Sequence, residues 1–285
     1  MRVPPGFIAD RRGSTCLFAL AEVMPAVKQA GLDTHDGWER MLAQAGERRG
    51  RGRVARAVLA GGKRIVVKQL KRGGATGALW RNRFAGTSRL VANLTTPLAA
   101  LARGVPTAAP VALLLCEGPA GFYRAWLALE EIPGAVDLAT LYARRPAPPP
   151  TLTTAMLASV RRSHDAGLVH PDLNLGNILA RERAGAWDVF IVDLDRARVI
   201  DAPLSFRARR DALRRLARSA VKQFGPDGPA GAEDLASWDG RYAGEDSELA
   251  ARLARSRRGG RFWLALHRAG WKQSTMPASS QRRER

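Results

Sequence analysis

Residues 170–196 read HPDLNLGNILARERAGAWDVFIVDLDR. Asp172, Asn177 and Asp193 stand here in the order, and the first two at the spacing, that phosphoryl transfer from a nucleotide requires. In such a site one carboxylate accepts the proton of the attacking hydroxyl and an amide oxygen five residues later holds a metal ion. A second carboxylate, beyond a short hairpin, holds that metal on the phosphates. The expected roles are Asp172 as base and Asn177 with Asp193 as Mg²⁺ ligands. Taken singly, an Asp before a strand is commonly a turn former, and a loop Asn commonly bonds its own backbone. Together, His-x-Asp-Leu-Asn-x-x-Asn-Ile-Leu and an apolar strand ending in Asp leave few free positions. Ile178–Leu179 and Val189–Val192 read as two short buried strands around a polar turn at Arg181–Ala186, which puts Asp193 at a strand end. His170 reads as a residue that orders the loop backbone rather than one that touches substrate.

Upstream, residues 50–70 (GRGRVARAVLAGGKRIVVKQL) are two strand-like runs joined by a turn at Ala60–Lys63. Lys68 closes the apolar run Ile65–Val67, where a lysine that binds the α/β-phosphates of ATP belongs; the alternative is a strand lysine turned to solvent. Gly50 and Gly52 precede the first run, where a backbone free of side chains can approach phosphates, although glycine turns are common. The region Arg83–Arg103 reads as helical but interrupted at Thr95-Thr96-Pro97, because proline removes a helical N–H and crowds the preceding turn. Val111–Cys116 and Tyr123–Leu129 read as two more strands. Glu130–Gly134 then forms a hinge, with Glu131 placed to offer its backbone to an adenine edge.

These elements predict an α+β chain of two lobes. Residues 1–131 form a nucleotide-binding lobe built on an antiparallel sheet with one main helix, and residues 132–273 a mostly helical catalytic lobe. Residues 274–285 are polar enough to be a disordered tail. Within the second lobe, Arg144–Pro150 is a stiff, proline-rich linker that stops any helix. Leu152, Met156 and Val160 recur at i, i+4 and i+8 on a helix ended by Gly167. Further helices are expected near 206–223 and 246–268, separated by a Gly- and Pro-rich loop.

Of the 285 residues 46% are hydrophobic, enough for a sizeable core. Cys16 and Cys116 are the only cysteines, and neither they nor the four histidines show metal-ligand spacing. That argues against a zinc site or disulfide framework and predicts a reducing compartment. Arg11-Arg12 precede the apolar run Cys16–Ala21, but the run meets Glu22 and is too short for a signal-peptide core, so it reads as a strand. Thr107–Cys116, the longest apolar stretch, is far short of a membrane span. A cytoplasmic protein is expected.

Lys plus Arg number 46 against 26 Asp plus Glu, a net charge of +20 that attracts polyanions. Arg207, Arg209, Arg210, Arg214, Arg215 and Arg218 alternate with Leu213, Leu216, Ala217 and Ala220 at helical spacing, so one helix face is core and the other basic. A second cluster follows at Arg255, Arg257, Arg258 and Arg261. Aromatics are not interleaved with the basic residues as base-stacking surfaces need. An anionic membrane surface or a phosphorylated substrate is therefore the expected partner rather than nucleic acid, with an ordinary solvated face as the bland alternative.

The stretches VVKQLKRGG (66–74), SRLVANLTTPLAALARGVPT (88–107), IPGAVDL (132–138), HPDLNLGNIL and VDLDRAR resemble the lipopolysaccharide core kinases, within the protein-kinase-like fold, and most closely those acting on 3-deoxy-D-manno-octulosonic acid (Kdo). The resemblance spans roughly residues 50–270. It implies ATP- and Mg²⁺-dependent phosphorylation of a sugar hydroxyl, the Kdo of a lipid-linked lipid A precursor, at the cytoplasmic face of the inner membrane. Several positions depart from the pattern. Asn93 stands where the helix after the lysine strand carries a lysine-pairing Glu, and an amide cannot supply that charge. Pro171 replaces an Arg of signalling kinases, Asp195 replaces the Gly of their Asp-Phe-Gly motif, and little chain separates Asp193 from the next helix. A small or lipid-linked acceptor fits this better than a protein. The remaining alternatives are a heptose or aminoglycoside-type kinase, a pseudokinase-like binding module motivated by Asn93, and a nucleic-acid binder motivated by charge.

Overall fold

The computed structural model describes residues 2–49, 52–71, 82–144, 149–225 and 232–258. The chain opens on a hairpin, β1 (Phe7–Arg12) and β2 (Thr15–Leu20), followed by helices α1 (Met24–Gln29) and α2 (His35–Ala45). Strands β3 (Gly46–Arg49), β4 (Gly52–Val58), β5 (Arg64–Gln69) and β6 (Phe84–Ala85) lead to helix α3 (Ser88–Ala102), then β7 (Pro110–Glu117) and β8 (Phe122–Glu130). They form one antiparallel sheet in the order β1-β2-β7-β8-β5-β4-β3, with β6 beside β8.

The sheet is buried on both faces. On one, Ile65, Val67, Ala112, Leu114, Trp126 and Ala128 pack with Met24, Val27, Trp38 and Leu42 of α1 and α2. On the other, Leu113, Leu115, Ala125 and Leu127 pack with Leu90 and Leu94 of α3. Strands covered on both sides read as continuous apolar runs rather than alternating ones, which is why VALLLC was legible as a strand. Cys16 and Cys116 fall in the two opposite layers, and both are free thiols. Helices α1 and α2 were not among the elements expected from the sequence. Trp38, Met41 and Leu42 do carry the i, i+3, i+4 spacing of a short amphipathic helix.

Helix α3 runs unbroken through Pro97, against the expected interruption. The missing N–H would have met the Asn93 carbonyl, and a proline inside a helix costs about 3 kcal/mol. Leu90 and Leu94 are wholly buried in the same helix, and full burial of such a side chain contributes about 1.5–3 kcal/mol. Packing against the sheet thus outweighs the lost bond.

The second part of the chain comprises β9 (Val136–Asp137), α4 (Leu138–Arg144), α5 (Pro150–Asp165), β10 (Leu168–Val169), β11 (Ile178–Arg183), β12 (Ala186–Ile191), β13 (Arg198–Val199), α6 (Phe206–Phe224), α7 (Ala232–Ala243) and α8 (Ser247–Arg258). The whole is a two-lobed α+β fold. Leu152, Met156 and Val160 form the buried face of α5 as their spacing predicts. Pro150 begins that helix instead of stopping one, since at the first helical position its missing N–H has no partner to lose. Arg183 pairs with Ala186, so the hairpin turns on Ala184-Gly185 alone, both at positive φ, and is tighter than expected. Helix α7 occupies part of the stretch read as loop, with Trp238 and Tyr242 one turn apart and buried. The expected tail, the helix beyond Arg258, Arg261 and residues 145–148 of the linker lie outside the described residues.

Gly167, just past the end of α5, has φ +80°, and a Cβ there would lie 2.2 Å from the Ile200 carbonyl oxygen and 2.8 Å from that of Ala202. Both neighbours are backbone, so no side chain can swing aside. Gly167→Ala is expected to destabilise the protein by about 3 kcal/mol or more, read as a lower urea midpoint at unchanged slope. A loss under about 1 kcal/mol would mean that the segment around Ile200 yields freely.

Candidate active site

The catalytic-loop residues are held by local bonds that follow from their types. Asn174 forms an Asx turn, its Oδ1 accepting from the Gly176 N–H at 2.9 Å while its Nδ2 donates to the Asp172 carbonyl at 2.9 Å and lies 3.4 Å from Asp172 Oδ1. Asn177 Nδ2 donates to the same Asp172 carbonyl at 2.8 Å, and the Asn177 carbonyl accepts from the Val192 N–H at 2.9 Å. His170 Nδ1 accepts from the Asp172 N–H at 3.3 Å, which leaves Nε2 to carry the proton and donate to the Val192 carbonyl at 3.1 Å. Burial pushes the His170 pKa down, so the ring stays neutral. The loop around Asp172 is thereby tied twice to the end of β12, one residue before Asp193. Asn174 was not singled out from the sequence; an Asn two residues after an Asp and two before a Gly is the turn signal that marks it.

Lys68, on β5, donates to Asp193 Oδ1 at 2.6 Å across the cleft between the lobes. The ammonium beside Asp193 is the main cause that holds its carboxyl below the ordinary range. The ion pair's contribution to stability is therefore present above the ordinary carboxylate value and is lost as pH falls through the lower folded-state value. Asp193 itself has φ 62° and ψ 55°, a left-handed conformation that Asp tolerates better than most residues. Lys68, Asn93, Leu127, Leu129 and Asp193 line one cleft, so that charged and polar groups and aliphatic side chains share its wall. Asp172 is solvent-exposed at the loop beside it.

One expected position stands differently. The Glu131 N–H donates to the Arg64 carbonyl at 3.0 Å, and its carboxylate accepts from Arg64 Nε at 2.7 Å and meets Arg56 Nε at 3.2 Å. Glu131 therefore braces the hinge against β4 and β5, and its N–H is committed to the sheet. Gly52 opens β4 opposite Arg49, while Gly50 lies outside the described residues.

The donor set suits a hard divalent cation. Asn177 uses its amide nitrogen on Asp172, which leaves its oxygen free, and Asp193 supplies a carboxylate. Mg²⁺ takes few protein oxygens and completes its shell with water and phosphate. Among the described residues no group of three or more His, Cys, Asp or Glu gathers as a site for a softer metal would need.

The model of the lipopolysaccharide kinase (Kdo/WaaP) family matches residues 36–235. The chain belongs to this family. The 3-deoxy-D-manno-octulosonic acid kinase of Xanthomonas oryzae pv. oryzae (strain PXO99A) is 33% identical over 166 residues, covering 57% of this chain and 64% of the relative. The kinase of the same name from Vibrio parahaemolyticus serotype O3:K6 is 28% identical over 137 residues, covering 47% of this chain and 56% of that one. The matches therefore span less than two thirds of these relatives' length. Among solved structures, WaaP in complex with acyl carrier protein matches with a TM-score of 0.51 and 22% identity over 83% of this chain and 96% of that one. That likeness carries the kinase-like fold and nothing finer.

Proposed function

We infer that the protein transfers the γ-phosphoryl group of ATP to a hydroxyl of the lipopolysaccharide inner core, namely the Kdo of a Kdo-lipid A precursor. The observation that carries this is the convergence of Lys68 and Asp193 across the cleft, with Asp172 and Asn177 on the adjoining loop. Family membership and the Kdo-kinase relatives support the sugar-acid acceptor. In this mechanism Lys68 would neutralise charge on the α/β-phosphates, and Asp193 with Asn177 would hold Mg²⁺, whose chemistry when bound is to offset phosphate charge. Asp172 orients the acceptor hydroxyl and takes its proton as the new bond forms. Asn174 and His170 keep Asp172 in position. ATP turnover with Kdo-lipid A as acceptor, followed by mass analysis of the product, tests both reaction and substrate. Heptosylated core and an aminoglycoside serve as competing acceptors, and a phosphorylated product from either alone would reassign the substrate.

We place the protein peripherally on the cytoplasmic face of the inner membrane; among the described residues no helix is long and apolar enough to cross a membrane. The basic face of α6 supports this placement once its members are sorted. Arg209 belongs to the core: it is 8% exposed, pairs with Asp165 at 2.6 Å and donates to the Leu204 carbonyl. Arg210 is partly buried against Asp211. Arg207, Arg214, Arg218 and Lys222 remain exposed along one line of the helix. Each basic residue near an anionic surface is worth about 1 kcal/mol, weakened by salt. Replacing Arg207, Arg214 and Arg218 by Gln is expected to reduce sedimentation with anionic vesicles and turnover on membrane-embedded acceptor, and to spare turnover on delipidated acceptor. Equal loss on both acceptors would put the stripe in the active site, and no loss would return it to an ordinary solvated face. The structural relative was solved with acyl carrier protein, so a carrier-protein arm belongs in the same experiment.

A further inference from the structure

Helix α3 reaches the active site through a carboxylate that sits on the loop rather than on the helix. Asp195, two residues beyond Asp193, accepts from Arg89 Nη2 at 2.8 Å through Oδ2 and from Asn93 Nδ2 at 3.5 Å through Oδ1. Asn93 is only 3% exposed, and its amide also donates to the carbonyls of Arg89 and Leu90, so it is fixed within its own helix. The Arg89 guanidinium lies 5.5 Å from the centre of the Phe84 ring, which orients it before it meets Asp195. Between the two loop acids, Leu194 is buried, and the short helical turn Leu194–Arg196 packs on α3. The lysine has meanwhile taken Asp193 directly.

A carboxylate on α3 would have bound the helix to Lys68. Asn93 removes that charge, and the helix offers donors instead, with the acceptor supplied by the loop. We propose that Arg89 and Asp195, assisted by Asn93, are positioning residues that hold the Asp193 loop against α3 and so set the metal-binding carboxylate in its left-handed conformation. This rests on Asp193 as a ligand of the nucleotide-bound cation. The pair is partly buried, with side-chain exposures of 39% for Arg89 and 19% for Asp195, so its charge-assisted bond is less screened than a surface pair. Two packed elements joined on either side of a ligand residue leave that residue few alternative positions. A partner that orients a metal ligand without touching the metal typically changes metal affinity or activity about 10–100-fold when removed.

The test is Mn²⁺ binding by electron paramagnetic resonance in the presence of a non-hydrolysable ATP analogue, on the full chain, alongside melting temperature. Arg89→Met and Asp195→Asn are each expected to weaken Mn²⁺ binding about tenfold or more and to the same degree. The exchanged pair Arg89→Asp with Asp195→Arg should recover most of the loss, while Kd for the metal-free analogue stays near wild type. A lower melting temperature with unchanged Mn²⁺ affinity would make the pair a structural salt bridge and overturn the proposal. Loss in Asp195→Asn with none in Arg89→Met would also overturn it, by making Asp195 a metal ligand itself. If the wild type fails to bind Mn²⁺ with the analogue, the nucleotide site itself falls, a result distinct from failure of the pair.

Discussion

Asp172→Asn is expected to lower phosphoryl transfer about 10²–10⁴-fold, the usual worth of a positioned base. Binding of Mg²⁺ and ATP should remain within about threefold of wild type, because the interaction removed is made with the acceptor in the transition state. The geometry separates the two roles. The Asp172 carboxylate is exposed beside the cleft, whereas Lys68 and Asp193 pair with each other across it. The substitution also leaves the loop intact, since the shorter bonds from Asn174 and Asn177 end on the main-chain carbonyl of this residue and Asn keeps the Oδ1 that Asn174 meets at 3.4 Å. Steady-state rates with Kdo-lipid A, set beside calorimetric titration of nucleotide, check both halves. A loss of ATP affinity as large as the loss of rate would remove Asp172 from the role of base and place it among the metal ligands.

Lys68→Met is expected to lower kcat/KM about 10²–10³-fold, the size of effect seen when one preorganised charge partner of a transition state is deleted. Unlike Asp172→Asn it should also weaken nucleotide binding, because the ammonium acts on the phosphates of the bound substrate as well as in the transition state. Methionine fills similar space on β5, so the flanking residues Val67 and Gln69 keep their pairing with β8. Asp193 then loses the cation that holds its carboxyl low, and the restraints left to it are the bonds of Val192 to Asn177 and His170 and the contact of the Asp195 turn with α3. A rate close to wild type would return Lys68 to the solvent-facing strand lysine that its position also allows.

Much of the candidate site's layout was legible before any tertiary contact was known, wherever a residue's position follows from its chain neighbours. The Asp-x-x-x-x-Asn spacing places both side chains on one loop, and the apolar strand that follows delivers Asp193 to its end. Lys68 was legible for the same reason, as the last residue of a buried run. Pro97 was misjudged because local propensity opposes a helix there, while the burial of Leu90 and Leu94 that overrides it comes from strands distant in sequence. The arginines of α6 look alike in composition. Only the presence of Asp165 and Tyr242 nearby makes Arg209 a core residue and leaves Arg207 and Arg218 on the surface.

Glu131 shows the same limit at the hinge. Its place after a strand is a local fact, but the guanidinium groups of Arg56 and Arg64 that claim its carboxylate arrive from neighbouring strands. Asn93 was legible as a missing charge, and nothing near it in sequence said what replaced it. Asp195 lies far along the chain, and its pairing with Arg89 exists only because α3 packs on the loop after β12. By itself the sequence determined the two-lobed pattern, the order Lys68, Asp172, Asn177 and Asp193, and the family to which they point, because spacing and periodicity along the chain encode loops, strands and helix faces. Only the tertiary structure decided which charges pair, which arginines are exposed and what anchors α3 to the site, because those depend on distances between residues that the chain brings together only when it folds.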